Sequence, residues 1–407
     1  MANFLKCSLV VLIMMLFVNQ SLSQQSGEVI AQSYADGSLV KIVFKDGIIT
    51  DISPSKAGKE AIDYYVAPGF IDTQLNGYAN VSFSQENLDE KGIDKITTAL
   101  WKEGVTTYFP TLVTGPREMY LDNLKVLGRY IDNHPNGSGL PGAFLEGPYI
   151  SPIDGFRGAH NKKYVRDPDW NEFESFIKAS GNHILLVGLA PEKNGAIEFI
   201  KKCIEKDIFV SLAHHNGPTD LITQAVDLGA IVSTHLGNGC ANQIHRHNNP
   251  LWPQLSEDRL TPTIIVDGHH LLREEVRTFY KVKGSENLIL VSDATRLSGM
   301  PPGEYEWVGM KVLMTEDGKL RMQEQDVLAG ASFPINTGIS NIMKFTGCSL
   351  QEAVDMASKV PARVFELKDR GVLEKGKRAD MVLFKQENGN IVVHKTIVMG
   401  KTVYSKD

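Results

Sequence analysis

The sequence predicts an α/β protein: a (β/α)8 barrel of the TIM type, with a small β-sandwich built jointly by the N- and C-terminal segments. Two observations carry this. Eight short apolar runs alternate with helical stretches through the middle of the chain, and Gly-punctuated strand text appears at both ends. A third narrows it, because chemically capable residues gather where the apolar runs stop.

Between Gly27 and Ala67, the run Leu39-Val40-Lys41-Ile42-Val43-Phe44 followed by Lys45-Asp46-Gly47 reads as a hairpin rather than a βα unit. The same style returns in Asp380-Met381-Val382-Leu383-Phe384, Ile391-Val392-Val393 and residues 395–400. The eight runs between are 69–72, 106–109, 142–145, 184–187, 208–212, 230–233, 263–266 and 288–291. Continuous apolar runs, without alternation, suit parallel strands buried on both faces. A doubly wound open sheet has the same local text. The expected organisation is an export segment at 1–23, β-sandwich at 24–67 and 367–407, and the barrel at 68–366.

With 407 residues, 42% hydrophobic and 22% charged, the chain is globular; disorder, collagen and coiled coil are excluded. A net charge of −6, from 42 basic against 48 acidic residues without long runs of either, gives no reason to expect nucleic acid as a partner. Small-molecule chemistry fits better. At the N-terminus, Lys6, an apolar stretch at 9–18 and Ser21-Leu22-Ser23 read as a secretory signal peptide. The stretch is shorter than the roughly 20 residues of a membrane span, and Cys7 lies too early to be a lipidation site. The expectation is an exported protein, periplasmic or extracellular, without a stable membrane anchor after cleavage. The remaining Cys203, Cys240 and Cys348 are odd in number and widely spaced, so they form neither a disulfide framework nor a zinc ribbon. Phosphate-binding glycine loops, nucleotide fingerprints and serine-hydrolase elbows are absent.

In a barrel, functional groups sit at the C-terminal ends of the strands. Here those ends carry Asp72, Gln74 and Asn76, then Glu146, His214-His215, Thr234-His235, Asp267-Gly268-His269-His270, and Asp293. Any one of these alone more often caps a loop; so many on separate strands point to a metal site. Two imidazoles and one carboxylate leave an open position on a divalent ion, which lowers the pKa of a bound water. Glu146, His214 and His235 are the expected ligands. Asp293, on another strand, is the expected acid/base that takes the water's proton and delivers it to a leaving nitrogen.

These residues carry a resemblance. Ala67-Pro68-Gly69-Phe70-Ile71-Asp72, Leu145-Glu146-Gly147-Pro148-Tyr149, Gly158-Ala159-His160, Ala213-His214, Thr234-His235-Leu236-Gly237-Asn238, Asp267-Gly268-His269-His270, Val291-Ser292-Asp293-Ala294-Thr295, Leu328-Ala329-Gly330, Pro361-Ala362-Arg363 and residues 371–380 follow in order. In this series the chain resembles the N-acetylglucosamine-6-phosphate deacetylases of the amidohydrolase superfamily along nearly its whole mature length. The resemblance implies the barrel with its flanking sandwich, and hydrolysis of the acetamide of an amino sugar, N-acetylglucosamine 6-phosphate first. It places metal ligands on Glu146, His214 and His235 and the acid/base on Asp293. Gln74 and Asn76 stand where many superfamily members carry a His-x-His pair. Amides are poor partners for a borderline ion, so one ion per subunit, zinc or iron, is expected.

The resemblance also implies that His160 polarises the acetamide carbonyl and His270 contacts the sugar. Ala159, Asn238, Gly239, Leu328, Ala329 and Gly330 would line the substrate site. Arg246 would hold the 6-phosphate from a neighbouring subunit, its guanidinium fork matching a phosphate, in a homodimer with shared sites. Two features depart from the family. Gly237-Asn238-Gly239-Cys240 replaces a usual Tyr-Asn-Ala-Met, implying a roomier pocket, and the export signal is unusual for a family that is typically cytoplasmic. The rival expectations are therefore a deacetylase of an unphosphorylated N-acetylhexosamine, an N-acyl amino acid deacylase, and, outside enzymes, a non-catalytic sugar-binding protein. Gly299-Met300-Pro301-Pro302-Gly303 reads as a loop beside the site, either a lid or rigidly packed.

Overall fold

The computed structural model describes residues 26–56, 63–307, 310–322 and 327–406. The export segment expected at 1–23 lies outside them. Among the described residues no helix is long and apolar enough to cross a membrane.

Eight parallel strands follow one another in sequence order around a single sheet. They are Phe70–Leu75, Val105–Val113, Ala143–Glu146, Ile184–Leu189, Phe209–Leu212, Val232–Ser233, Thr261–Ile265 and Ile289–Val291. They are called barrel strands one to eight below. A parallel bridge between Leu75 and Ala294 joins the last strand back to the first. That bridge distinguishes a closed barrel from the open sheet that periodicity left possible. All eight apolar runs fall on these strands.

The helices between them form for readable reasons. Asp89 caps Glu90–Trp101 by accepting from the Gly92 N–H, and Ile93, Ile96, Thr97 and Leu100 place one buried stripe against the sheet. Asp169 caps Trp170–Ala179 in the same way. The barrel interior is filled, not hollow: Phe109, Phe144, Leu186, Val232, Ile265 and Ile289 share one cluster with Phe365. Phe365 packs edge-on against Phe109 and against Phe209, the first residue of strand five. The segment after the helix Lys359–Val364 therefore plugs the N-terminal end, and the opposite end is left for chemistry.

The two termini share one seven-stranded sheet. Gly27–Ser33, Leu39–Lys45, Ile48–Pro54 and Tyr65–Pro68 come from one end, and Met381–Glu387, Asn390–Val398 and Lys401–Ser405 from the other. Met381–Glu387 pairs antiparallel with Tyr65–Pro68. The expected hairpin turn is present, with Asp46 and Gly47 both at positive φ, 53° and 78°. The edge strand Ile48–Pro54 folds back on the other half, the Ile49 N–H donating to Lys377 O at 2.8 Å and the Ala379 N–H to Gly47 O at 2.7 Å. Val29, Ala31, Ile42, Ile49, Val66, Met381 and Ile397 make its separate core.

One element goes beyond what the sequence announced. After strand eight the chain forms a three-stranded antiparallel sheet, Gly303–Trp307, Met310–Met314 and Leu320–Met322. The segment 299–303 leads into it and is packed: Met300 lies against the cluster of Leu297, Val312, Met314, Leu320, Met322 and Ala329. The Tyr305 hydroxyl donates to Pro301 O at 2.6 Å.

Candidate active site

Three key residues leave the barrel by the same geometry. His214, His235 and Asp293 each lie two residues past the end of strands five, six and eight, and each has positive φ, 47°, 30° and 51°. For non-glycine residues such angles are strained and persist only where the surroundings fix them. For Asp293 the fixing is explicit, since its N–H donates to Gln74 O at 3.1 Å and its carbonyl accepts from the Ala331 N–H at 3.0 Å. The turn lifts each side chain into the open end of the barrel.

Glu146, the last residue of strand three, meets the two histidines there. Its Oε1 lies 2.8 Å from His235 Nε2 and 3.3 Å from His214 Nε2. The three side chains are buried, and their ligand atoms lie within 4.8 Å of one another, a grouping able to hold a metal ion. The donor set fits a divalent ion. The His214 Nδ1–H donates to Phe156 O at 2.9 Å, which turns Nε2 toward Glu146 as an acceptor. His235 Nδ1 is buried without a partner among the described residues. Burial alone would raise the Glu146 carboxyl, but the His214 and His235 imidazoles beside it outweigh that and hold the group well below the usual range. His215, next in sequence, accepts at Nδ1 from the Gly217 N–H at 3.2 Å and is pushed down to about 4 by burial.

Asp293 is also buried. Burial pushes its carboxyl up to about 7, the neighbouring Glu146 charge adding to the effect. Its Oδ1 accepts from Asn76 Nδ2 at 2.6 Å and from Gln74 Nε2 at 3.1 Å. His160 stands beside the cluster, its ring centroid 4.3 Å from that of His214 and its Nε2 4.0 Å from Glu146 Oε2. Thr114 contacts His160 Nδ1 through its hydroxyl at 2.9 Å and its backbone N–H at 3.4 Å. A backbone N–H can only donate, so Nδ1 accepts and the ring proton sits on Nε2. Burial pushes His160 down to about 3, so the ring is neutral near pH 7. His270 is oriented by Asp267, whose Oδ2 lies 2.8 Å from its Nδ1. Burial would raise Asp267, but the His270 charge and hydrogen bond outweigh it and hold it at about 2.

A cavity of about 290 Å³ opens over this cluster. Of the expected substrate residues, Ala159, His160, Asn238, His270, Leu328 and Gly330 line it, together with Glu146, His214, His235 and Asp293. Three do not. Gly239 sits behind the ligands, where a Cβ would lie 3.0 Å from the His214 backbone nitrogen. Ala329 is turned into the core of the three-stranded sheet. Arg246 is exposed and outside the lining of its own chain's cavity. Thr114, Asn161, Asn242 and Glu275 line it without having been singled out. Thr114 follows strand two directly, so the strand-end rule reaches it. Glu275 enters from the first turn of the helix Arg273–Lys283, where no strand-end signal applies. Gly237 and Cys240 form part of the wall, as the small-residue loop implied.

A closed parallel barrel with Glu146, His214 and His235 converging at its open end, and an acid/base-capable carboxyl in the same cavity, defines the class of metal-dependent hydrolase barrels. The sequence matches the amidohydrolase family over residues 65–403. The chain belongs to that family and, within it, to the N-acetylglucosamine-6-phosphate deacetylase family. It is 30% identical to the N-acetylgalactosamine-6-phosphate deacetylase of Escherichia coli O157:H7, covering 83% of this chain and 88% of that one. It is 31% identical to the N-acetylglucosamine-6-phosphate deacetylase of Rattus norvegicus, covering 90% and 89%. The solved N-acetylglucosamine-6-phosphate deacetylase from Pasteurella multocida superposes with a TM-score of 0.83 at 29% identity, over 93% of this chain and 100% of that one. An adenine deaminase at 16% identity and TM-score 0.58, covering 92% and 98%, shares the fold.

Proposed function

We propose that this protein hydrolyses the acetamide of an N-acetylated amino sugar, N-acetylglucosamine 6-phosphate first, to glucosamine 6-phosphate and acetate. The carrying observation is one cavity that holds the Glu146–His214–His235 cluster, the neutral His160 and the buried carboxyl of Asp293. A divalent ion, zinc or iron, held by Glu146 Oε1 and the Nε2 atoms of His214 and His235, would supply Lewis acidity and lower the pKa of the water nucleophile. The chain's own groups do the rest. His160 donates its Nε2–H to the acetamide oxygen as charge develops there. Asp293 takes a proton from the attacking water and returns it to the leaving nitrogen, so that the water oxygen ends in acetate. Asp267 holds the His270 ring at the cavity wall, where it meets the sugar.

No lysine or arginine lines the cavity among the described residues. The reading therefore assigns the 6-phosphate to Arg246 of a second copy, in a homodimer. The segment at 1–23 directs the enzyme out of the cytoplasm. One observation favours the unphosphorylated N-acetylhexosamine as a second reading: the acidic residue Glu275 is among those lining the same cavity, and its negative charge disfavours a nearby dianion.

Acetate release by the purified, metal-restored enzyme from N-acetylglucosamine 6-phosphate and from N-acetylglucosamine, side by side, tests this. A preference for the phosphorylated sugar that Arg246→Ala removes supports the first reading. A preference for the free sugar selects the second, and turnover of neither discards both.

A further inference from the structure

Asp293 sits at the seam where the barrel closes. Strand one supplies Gln74 and, just past its end, Asn76; strand eight runs into Asp293; and the Leu75–Ala294 bridge lies between them. Both amide side chains donate to one oxygen of the carboxylate, Asn76 Nδ2 at 2.6 Å and Gln74 Nε2 at 3.1 Å from Oδ1. The other oxygen, Oδ2, makes no hydrogen bond among the described residues, while the Asp293 side chain lines the cavity. Asn76 Oδ1 is buried without a partner among the described residues. Its own oxygen thus gives the Asn76 amide no bond to orient it, and the amide nitrogen is turned to the carboxylate. These two amides stand where a second pair of metal ligands is expected in relatives, and here they face the carboxyl instead.

We propose that Gln74 and Asn76 are positioning residues that hold Asp293 Oδ1, leaving Oδ2 as the single oxygen that accepts and returns the catalytic proton. The inference rests on the deacetylase reading above and assigns a further role within it. A carboxylate oxygen with two donors on it has its lone-pair directions taken, whereas the second oxygen keeps both. Amide donors are neutral and do not titrate, so the clamp persists while the carboxyl changes charge. In the forward reaction an O–H bond of water breaks, its proton joins Oδ2, and the hydroxide oxygen bonds the acetamide carbon. The C–N bond then breaks and the Oδ2 proton moves to the departing nitrogen. With the carboxylate free to rotate, the oxygen facing the substrate is the right one only part of the time, and this affects the rate rather than substrate affinity.

The test uses the metal-loaded enzyme with Asn76→Leu and Gln74→Met, which keep side-chain size and remove the donors. For Asn76→Leu, kcat falls at least tenfold, KM stays within twofold, and metal content by elemental analysis is unchanged; for Gln74→Met, with the longer bond, the fall is smaller. In an Asp293→Asn background, adding Asn76→Leu changes the residual rate by less than twofold, because the partner it acts through is already disabled. Losses that multiply in that background, loss of metal, or a change confined to KM overturns the proposal. A crystal structure of Asn76→Leu supplies an arm independent of substrate. A rotated Asp293 carboxylate supports the clamp even if neither sugar is turned over by the parent enzyme, and an unmoved carboxylate overturns it. Should Asn76→Leu fail to fold, Gln74→Met alone decides by the same readouts.

Discussion

The imidazole of His214 is held from behind by Phe156, whose carbonyl oxygen lies 2.9 Å from Nδ1. The loop that carries Phe156 also packs on the ring two residues later. Gly158 has φ of 58°, and a Cβ there would lie 2.8 Å from His214 Cε1. Backbone strain and steric overlap therefore act on the same ligand. Gly158→Ala is expected to push the imidazole off Nε2 alignment and weaken divalent-metal affinity by about tenfold or more, as losses around ligand shells do. Competition with a chromophoric chelator measures this. Unchanged affinity would mean that the loop yields and the ring does not.

Glu146 is the oxygen ligand between two imidazoles. Replacing it by Gln keeps the shape but removes the charge that burial already opposes. Glu146→Gln is expected to lose the bound ion, from about one per chain to a small fraction by elemental analysis after dialysis, with the circular dichroism spectrum preserved. Retention of a full equivalent would remove Glu146 from the ligand set.

Asp293→Asn separates binding from chemistry. The amide keeps an oxygen for contact with Asn76 and Gln74 but cannot carry the proton. Turnover is expected to fall by roughly 10²–10⁴-fold, the usual worth of a general acid/base, while metal content stays intact. A variant with parental kcat would assign the proton transfer elsewhere.

How much of this was legible depended on whether a residue's job is done by its own strand. The eight barrel strands were readable because burial on both faces leaves continuous apolar runs, and Glu146, His214, His235 and Asp293 were readable because each ends such a run. Gln74 and Asn76 were visible only as poor ligands, since their bonds to Asp293 cross 219 and 217 residues of chain. The three-stranded sheet at 303–322 was missed because its strands are short, one of them the largely polar Gly-Glu-Tyr-Glu-Trp, and are buried partly by residues outside them such as Leu297, Met300 and Ala329. Gly239 and Ala329 were placed on the cavity wall by neighbours that do line it. Sequence proximity does not say which of three consecutive residues turns inward.

Asp72 gives a stability prediction that is independent of the metal. It is buried in strand one, its Oδ1 accepting from the Ser292 N–H at 3.1 Å while Oδ2 has no partner among the described residues. Burial pushes its carboxyl up to about 6 despite the Ser292 hydrogen bonds. The folded-state value lies above the unfolded one near 3.9, so the folded protein binds the proton more tightly. The stabilisation from Asp72 is complete below about pH 4 and is lost as pH rises through 6. Asp72→Asn keeps an acceptor for the Ser292 N–H and has no charge to bury. Relative to the parent, the variant is therefore expected to gain about 2–3 kcal/mol of unfolding free energy between pH 4 and pH 8, from a shift of about two pKa units at 1.36 kcal/mol each. Guanidinium unfolding of both metal-stripped proteins across that range measures the difference. Parallel stability curves would show that Asp72 is ionised in the folded barrel throughout, and that the seam between strands one and eight tolerates its charge.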